Sequence, residues 1–191
     1  NVYATSLYCP TYTPLGCVIS WIRDSTTGAL TNQINQCHTL IEGCRDVTVF
    51  DRSVYNAAKG TGHGVIVKWT RDTDIGVNTA HQNPLFSGRL INPNTPASGA
   101  DLAGVNSFTV SPDGENAYAA VGDLDSIVYW DRDLTNGNLN NQVMLTDSIN
   151  LGTPFSVVLS PDGGNVYAVA SQGDSIVHWD RDSTTGALTN Q

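Results

Sequence analysis

The sequence predicts an all-β fold, a β-propeller of four-stranded antiparallel blades, about four in number, with the first blade lacking its inner strand. Three observations predict it. The phrase Trp179-Asp-Arg-Asp-Ser-Thr-Thr-Gly-Ala-Leu-Thr-Asn-Gln191 is nearly repeated as Trp21-Ile-Arg-Asp-Ser-Thr-Thr-Gly-Ala-Leu-Thr-Asn-Gln33, and looser copies begin at Trp69-Thr-Arg-Asp and Trp130-Asp-Arg-Asp. Successive tryptophans are 48, 61 and 49 residues apart (69−21, 130−69, 179−130), and each follows a tyrosine: Tyr3, Tyr55, Tyr118 and Tyr167. No segment carries a sustained helical period, so the repeat has to be built from strands.

The last repeat is the template for the elements. Phe155-Ser-Val-Val-Leu-Ser160 is an apolar, β-branched run that reads as an inner strand. Pro161-Asp-Gly-Gly supplies a tight turn, and Asn165-Val-Tyr-Ala-Val-Ala170 returns as the second strand. Gln172-Gly-Asp turns again, Ser175-Ile-Val-His-Trp-Asp180 is the third strand, and Ser183-Thr-Thr-Gly leads into a short fourth strand at Ala187–Gln191. Applied along the chain, this template gives one domain over 1–191 with units at about 1–36, 37–83, 102–142 and 151–191. Residues 84–101, rich in Pro, Asn and Gly, read as an irregular insertion loop between units. The first unit opens at Asn1-Val-Tyr-Ala, already in its second strand. An uncovered sheet edge invites association, and three arrangements cover it: a larger ring of which this is a part, a compact four-bladed ring with one incomplete blade, or a homo-oligomer.

Ser111-Pro-Asp-Gly-Glu-Asn-Ala-Tyr118 and Ser160-Pro-Asp-Gly-Gly-Asn-Val-Tyr167, each followed by Trp-Asp-Arg-Asp, resemble the YVTN or lactonase-like β-propeller repeats. The likeness spans all four units and is weakest in the second, where Cys44-Arg-Asp-Val-Thr-Val-Phe replaces the Ser-Pro-Asp-Gly turn. The resemblance implies the propeller fold. It implies a range of activities, from lactone hydrolases to surface-layer and binding proteins, because function resides in a site and not in a fold.

Composition narrows the partners. With a formal net charge of −9 and nine Lys and Arg residues, the chain lacks the basic footprint of a nucleic-acid binder. No apolar stretch is long enough to span a bilayer. The charged fraction is 14%, against abundant Asn, Thr, Ser and Gly, which fits a secreted or cell-surface protein from which a leader has been removed. Cys9, Cys17, Cys37 and Cys44 all fall near the start. They flank two departures from the repeat, and pairing Cys9 with Cys17 and Cys37 with Cys44 would staple both loops, although the sequence permits three connectivities. A zinc site using His38 has poor spacing and no Cys-x-x-Cys pair, so no metal is expected from the cysteines.

The Arg-Asp pairs that follow the tryptophans, at Arg23, Arg71, Arg132 and Arg181, occur in every unit, and a group needed by every blade is architectural. Trp21, Trp69, Trp130 and Trp179 read likewise as residues packed between blades. Tyr8 and Tyr12 lie beside Pro10 and Pro14 in a loop that breaks the repeat, a natural place for ligand binding. Asp123 and Asp125 stand on a loop that could reach the ring's centre and are candidate ligand-binding residues; no cofactor is predicted, although calcium is conceivable there, and a solvated turn is the plainer reading of so short a motif. The four histidines fall in different repeat contexts and no nucleophile motif is present. The sequence therefore favours binding or assembly, with a glycan, a protein or another copy as partner. Its alternative is a lactonase-like hydrolase acting on a sugar lactone or ester.

Overall fold

The structure, a computed structural model, describes residues 2–6, 16–59, 63–71 and 90–191. Among the described residues fifteen strands form four antiparallel sheets, each a meander with consecutive strands as neighbours. Blade 1 has three strands, β1 (Val2–Ser6), β2 (Gly16–Arg23) and β3 (Leu30–His38). Blade 2 comprises β4 (Cys44–Phe50), β5 (Ser53–Ala58), β6 (Gly64–Arg71) and β7 (Leu90–Gly99). Blade 3 comprises β8 (Val105–Val110), β9 (Asn116–Val121), β10 (Ser126–Arg132) and β11 (Leu139–Thr146). Blade 4 comprises β12 (Pro154–Leu159), β13 (Asn165–Ala170), β14 (Ser175–Arg181) and β15 (Leu188–Thr189).

The hydrophobic core is divided among the blade junctions. In β9 the alternation Asn-Ala-Tyr-Ala-Ala-Val sends Ala117, Ala119 and Val121 toward blade 2, where they meet Tyr55, Ala57 and Ile66. It sends Tyr118 and Ala120 toward blade 4, against Val166, Ala168 and Val177. A strand with both faces covered needs small side chains where neighbouring sheets approach closely, and the alanines meet that need. A third cluster, with Val18, Ile41, Val54 and Trp69, joins blades 1 and 2.

The third strands of blades 3 and 4 end in the same clamp against the preceding blade. Arg132 Nε donates to Tyr55 OH at 2.7 Å, and that hydroxyl donates to Gly137 O at 2.7 Å. One blade on, Arg181 Nε donates to Tyr118 OH at 3.0 Å and Tyr118 OH donates to Gly186 O at 2.8 Å. The aspartate after the arginine shapes the following turn: Asp133 and Asp182 each accept backbone N–H bonds from the residues two and three positions on. Trp69, Trp130 and Trp179 are buried, whereas Trp21 is half-buried and Arg23 exposed.

Two expectations are corrected. Residues 84–101 do not form an irregular insertion throughout, since Leu90–Gly99 is the outer strand of blade 2. Pro93 and Pro96 obscured it, but an outermost strand needs N–H donors only on its inward side, where proline is tolerated. The pairings Cys9–Cys17 and Cys37–Cys44 do not form either, because Cys17 and Cys44 carry free, buried thiols. Cys37 is itself disulfide-bonded, and the Cys17 thiol lies beside it across the β2–β3 ladder, with sulfurs 3.3 Å apart. Burial pushes the Cys44 thiol up to about 12, with neighbouring Cys17 adding to the effect.

Candidate functional site

The three described inner strands break register at one shared position. Pairing with the second strand passes over Arg45 between Cys44 and Asp46, Asn106 between Val105 and Ser107, and Phe155 between Pro154 and Ser156. A bulge leaves one residue outside the ladder and re-aims its side chain, and bulges gather next to active sites. Here the repeat keeps the backbone irregularity and varies the chemistry, with a guanidinium, an amide and an aromatic ring in three successive blades. Arg45 and Phe155 are exposed and Asn106 is half-buried.

The bulges lie at the end of the propeller that also carries the β5–β6 and β9–β10 loops and the connections between blades. Behind Arg45, Asp46 fixes the inner strands to one another. Its Oδ1 accepts from Val47 N at 2.8 Å, and its Oδ2 accepts from Ser107 Oγ at 3.0 Å and Phe108 N at 2.9 Å. Ser107 Oγ in turn accepts from Val157 N at 3.4 Å, and Asn106 Nδ2 donates to Pro154 O at 3.1 Å. The line from β4 through β8 to β12 is thus held rigidly, as a preorganised site requires.

Asp123 and Asp125 share the β9–β10 loop but face different partners. Asp123 Oδ2 lies 3.3 Å from Lys59 Nζ across the junction of blades 2 and 3, with both side chains about half exposed. The approach needs glycine at position 104, whose φ is +72° and whose added Cβ would stand 2.3 Å from Asp123 Cγ. Asp125, left-handed at φ 48°, accepts from Thr153 N at 2.8 Å and fixes the entry to blade 4. Among the described residues no group of three or more His, Cys, Asp or Glu is placed to hold a metal ion.

The remaining candidates are dispersed. Tyr8, Tyr12, Cys9 and His81 lie outside the described residues. His38 Nδ1 accepts from Leu40 N, a capping role, and His178 pairs loosely with Asp180 on the face of blade 4. A cleft of about 410 Å³ opens at the opposite end of the molecule, between Glu115, Asn116, Asp131, Arg132, Leu134, Thr184 and Thr185. Arg132 is already committed to Tyr55 and Gly114, so the wall of this cleft is the blade clamp. The bulged end offers the exposed guanidinium of Arg45 and the half-exposed carboxylate of Asp123 and is the better site. Sequence reading missed Arg45, Asn106 and Phe155 because a bulge is a property of pairing; the signal available was a changing residue between fixed neighbours in Cys44-Arg-Asp, Val105-Asn-Ser and Pro154-Phe-Ser.

Comparison with known proteins places these features. The family described as "Lactonase, 7-bladed beta-propeller" is matched by residues 90–191. No curated protein matches the chain. Among solved structures, a candidate 6-phosphogluconolactonase from Bacteroides fragilis superposes with a TM-score of 0.64 at 17% identity, covering 92% of this chain and 49% of its own. A periplasmic gluconolactonase from Pseudomonas aeruginosa gives 0.60 at 13% identity, with 92% and 48% covered. A protein of unknown function from Desulfotomaculum acetoxidans gives 0.62 at 15% identity, with 98% and 50% covered. The chain therefore spans about half the length of these structures. The family match overturns the expectation of a binding or assembly protein and favours its alternative.

Proposed function

Because this chain belongs to the lactonase, 7-bladed beta-propeller family, we propose that it is a lactonase-like hydrolase that opens a sugar lactone or related ester. The finer reading, of YVTN-type repeats, rests on Asn165-Val-Tyr-Ala and its copies. The observation that carries the site is the shared bulge at Arg45 and Asn106, at the same end of the blade array as the Asp123–Lys59 pair.

Lactone hydrolysis adds water to a carbonyl carbon, moves negative charge onto the carbonyl oxygen and then breaks the ring C–O bond. The forked guanidinium of Arg45 supplies donors for the developing oxyanion, the term that contributes most in such reactions. Asp123 takes the proton of the attacking water and returns it to the leaving ring oxygen, so the product is a hydroxy acid. Lys59 holds that carboxylate in place through the ion pair. Asn106 holds the sugar's hydroxyls through its amide oxygen, since its Nδ2 is occupied by Pro154 O. Phe155 offers an apolar surface for the sugar ring.

The test is hydrolysis of glucono-lactone followed by acid release at constant pH, corrected for the spontaneous rate. Arg45→Ala should lower kcat/KM by about 10²-fold while the circular dichroism spectrum is unchanged. A wild-type rate equal to that of buffer, or an undiminished rate in the variant, would refute the assignment.

A further inference from the structure

A reduced thiol rests against a disulfide in blade 1. Cys17 on β2 and Cys37 on β3 are direct cross-strand partners with sulfurs 3.3 Å apart. Cys37 is disulfide-bonded, while Cys17 and Cys44 carry free, buried thiols. The chain has four cysteines, so with those two free the count leaves Cys9, outside the described residues, as the sulfur that holds Cys37.

The repeat shows that this contact belongs to the ladder position. Cys17 stands four residues before Trp21, as Ser126 stands four before Trp130. Ser126 pairs with Thr146 as Cys17 pairs with Cys37, and there the two side-chain hydroxyls are 2.9 Å apart. The same backbone pairing therefore brings the γ atoms together in two blades, and blade 1 places sulfur at both. Directly opposed antiparallel residues have Cα atoms about 4.5–5.5 Å apart, within the range of about 4.4–6.8 Å that a disulfide spans. A bond between Cys17 and Cys37 thus fits the ladder once the sulfurs close from 3.3 Å to about 2 Å. Burial raises the Cys17 thiol above its ordinary value, so it rests protonated and attack waits on loss of that proton.

The position of the pair in the fold gives the contact a consequence. Strand β2 begins at Gly16, packed so tightly on Ile41 that an added Cβ would stand 1.7 Å from its carbonyl oxygen. Ile41 ends the short turn that leads into β4, so β1 ends and β2 begins at the bulged end of the array. The segment that joins them carries Cys9. Its bond to Cys37 ties that segment to β3 at the end where Arg45 and Asn106 stand.

We propose that Cys17 is the nucleophile of an internal thiol–disulfide exchange that moves the Cys37 bond from Cys9 to Cys17 and so unties the Cys9 segment from β3. The Cys17 thiolate attacks Cys37 Sγ, a Cys17–Cys37 bond forms, and the Cys9–Cys37 bond breaks. Cys9 leaves as a thiolate and takes up the proton that Cys17 gave, so no oxidant or reductant is consumed. The exchange is independent of the hydrolytic reading, because none of the three sulfurs belongs to the residues assigned to the reaction.

The experiment traps the released thiol. Folded chain is held with N-ethylmaleimide, sampled over a day, and unfolded in excess deuterated N-ethylmaleimide. Chymotrypsin, cutting after Tyr12, Leu15 and Leu40, then separates Cys9 from Cys17 and Cys37 from Cys44 for mass spectrometry. At the start Cys9 should be joined to Cys37, with only deuterated label on Cys17 and Cys44. Over about minutes to hours, light label should accumulate on Cys9 while Cys17 becomes joined to Cys37. Cys17→Ser should abolish the light label on Cys9 and Cys44→Ser should leave it unchanged, each variant checked for fold by circular dichroism. The wild-type time course decides the question without the variants. A Cys9–Cys37 bond that persists for the day, or light label on Cys17 with that bond intact, overturns the proposal. So does a starting chain without the Cys9–Cys37 bond, or labelling of Cys9 at the wild-type rate in Cys17→Ser.

Discussion

At the scale of single residues, the hydroxyl of Tyr118 carries more of the architecture than its one bond donor suggests. It accepts from Arg181 Nε and donates to Gly186 O inside a closed junction. Tyr118→Phe keeps the ring and leaves both partners unpaired, so it should cost about 1–3 kcal/mol, read as a lower urea midpoint at unchanged slope. Burial pushes the Tyr118 phenol up to about 12, partly offset by the Arg181 charge. Its native value thus exceeds the unfolded one, so the contribution is complete below about pH 10 and is lost as pH rises toward 12. Urea midpoints across that window should fall more steeply for wild type than for Tyr118→Phe. Asp113 behaves in the opposite sense. Burial opposes its charge, but bonds from Ser111 Oγ, Glu115 N and Arg181, with the Arg181 charge, outweigh that and hold its carboxyl below the ordinary range. Its contribution is present above the unfolded carboxylate pKa and is lost as pH falls through the depressed native one. The clamp residues were legible as repeat positions, because each tryptophan carried an arginine with it. The partner of that arginine was not, since Arg181 and Tyr118 stand 63 residues apart.

At the scale of elements, the Ser-Pro-Asp-Gly turn accounts for the sharpest part of the repeat. Ser111 Oγ accepts from Asn116 N at 3.0 Å, Asp113 Oδ1 accepts from Glu115 N at 3.0 Å, and Gly114 N donates to Ser111 O at 2.8 Å with φ at +78°. The same bonds recur at Ser160, Asp162 and Gly163 in blade 4. Ser111 is fully buried, so Ser111→Ala leaves the Asn116 N–H without its partner. The loss should be about 1–2 kcal/mol in urea unfolding, and the half-buried copy Ser160→Ala should lose less. Such turns are local, which is why they could be read from the chain. Strand β7 could not, because its two prolines are acceptable only on an outer edge, and edge status is a relation between strands. The inner-strand bulges stayed hidden for the same reason.

For the whole molecule, protection should follow how many faces of a blade are covered. Blade 3 is enclosed on both sides by the Tyr55–Trp130 and Tyr118–Trp179 clusters, while blade 4 leaves Phe155, Val169 and Ile176 open and blade 1 has three strands. Hydrogen exchange read by mass spectrometry should therefore find the amides of β9 and β10 slowest. Those of β13, β14 and the β1–β2 ladder should exchange faster, because opening them exposes less apolar surface. Equal rates in all blades would mean that the sheets unfold as one unit.

Repetition of Tyr, Trp, Arg-Asp and Thr-Gly determined the sheets, their strand order within a blade and the residues packed between them, because each depends on alternation and turn chemistry over fewer than 50 residues. Activity class came through family likeness and not through any motif in the residues. Only the tertiary structure decided that Cys17 faces Cys37, that Asp123 meets Lys59 while Asp125 meets Thr153, and that Arg45, Asn106 and Phe155 stand outside their ladders at one end of the ring. Those relations join different strands and blades, and a one-residue change in register, invisible in composition or spacing, redirects each side chain.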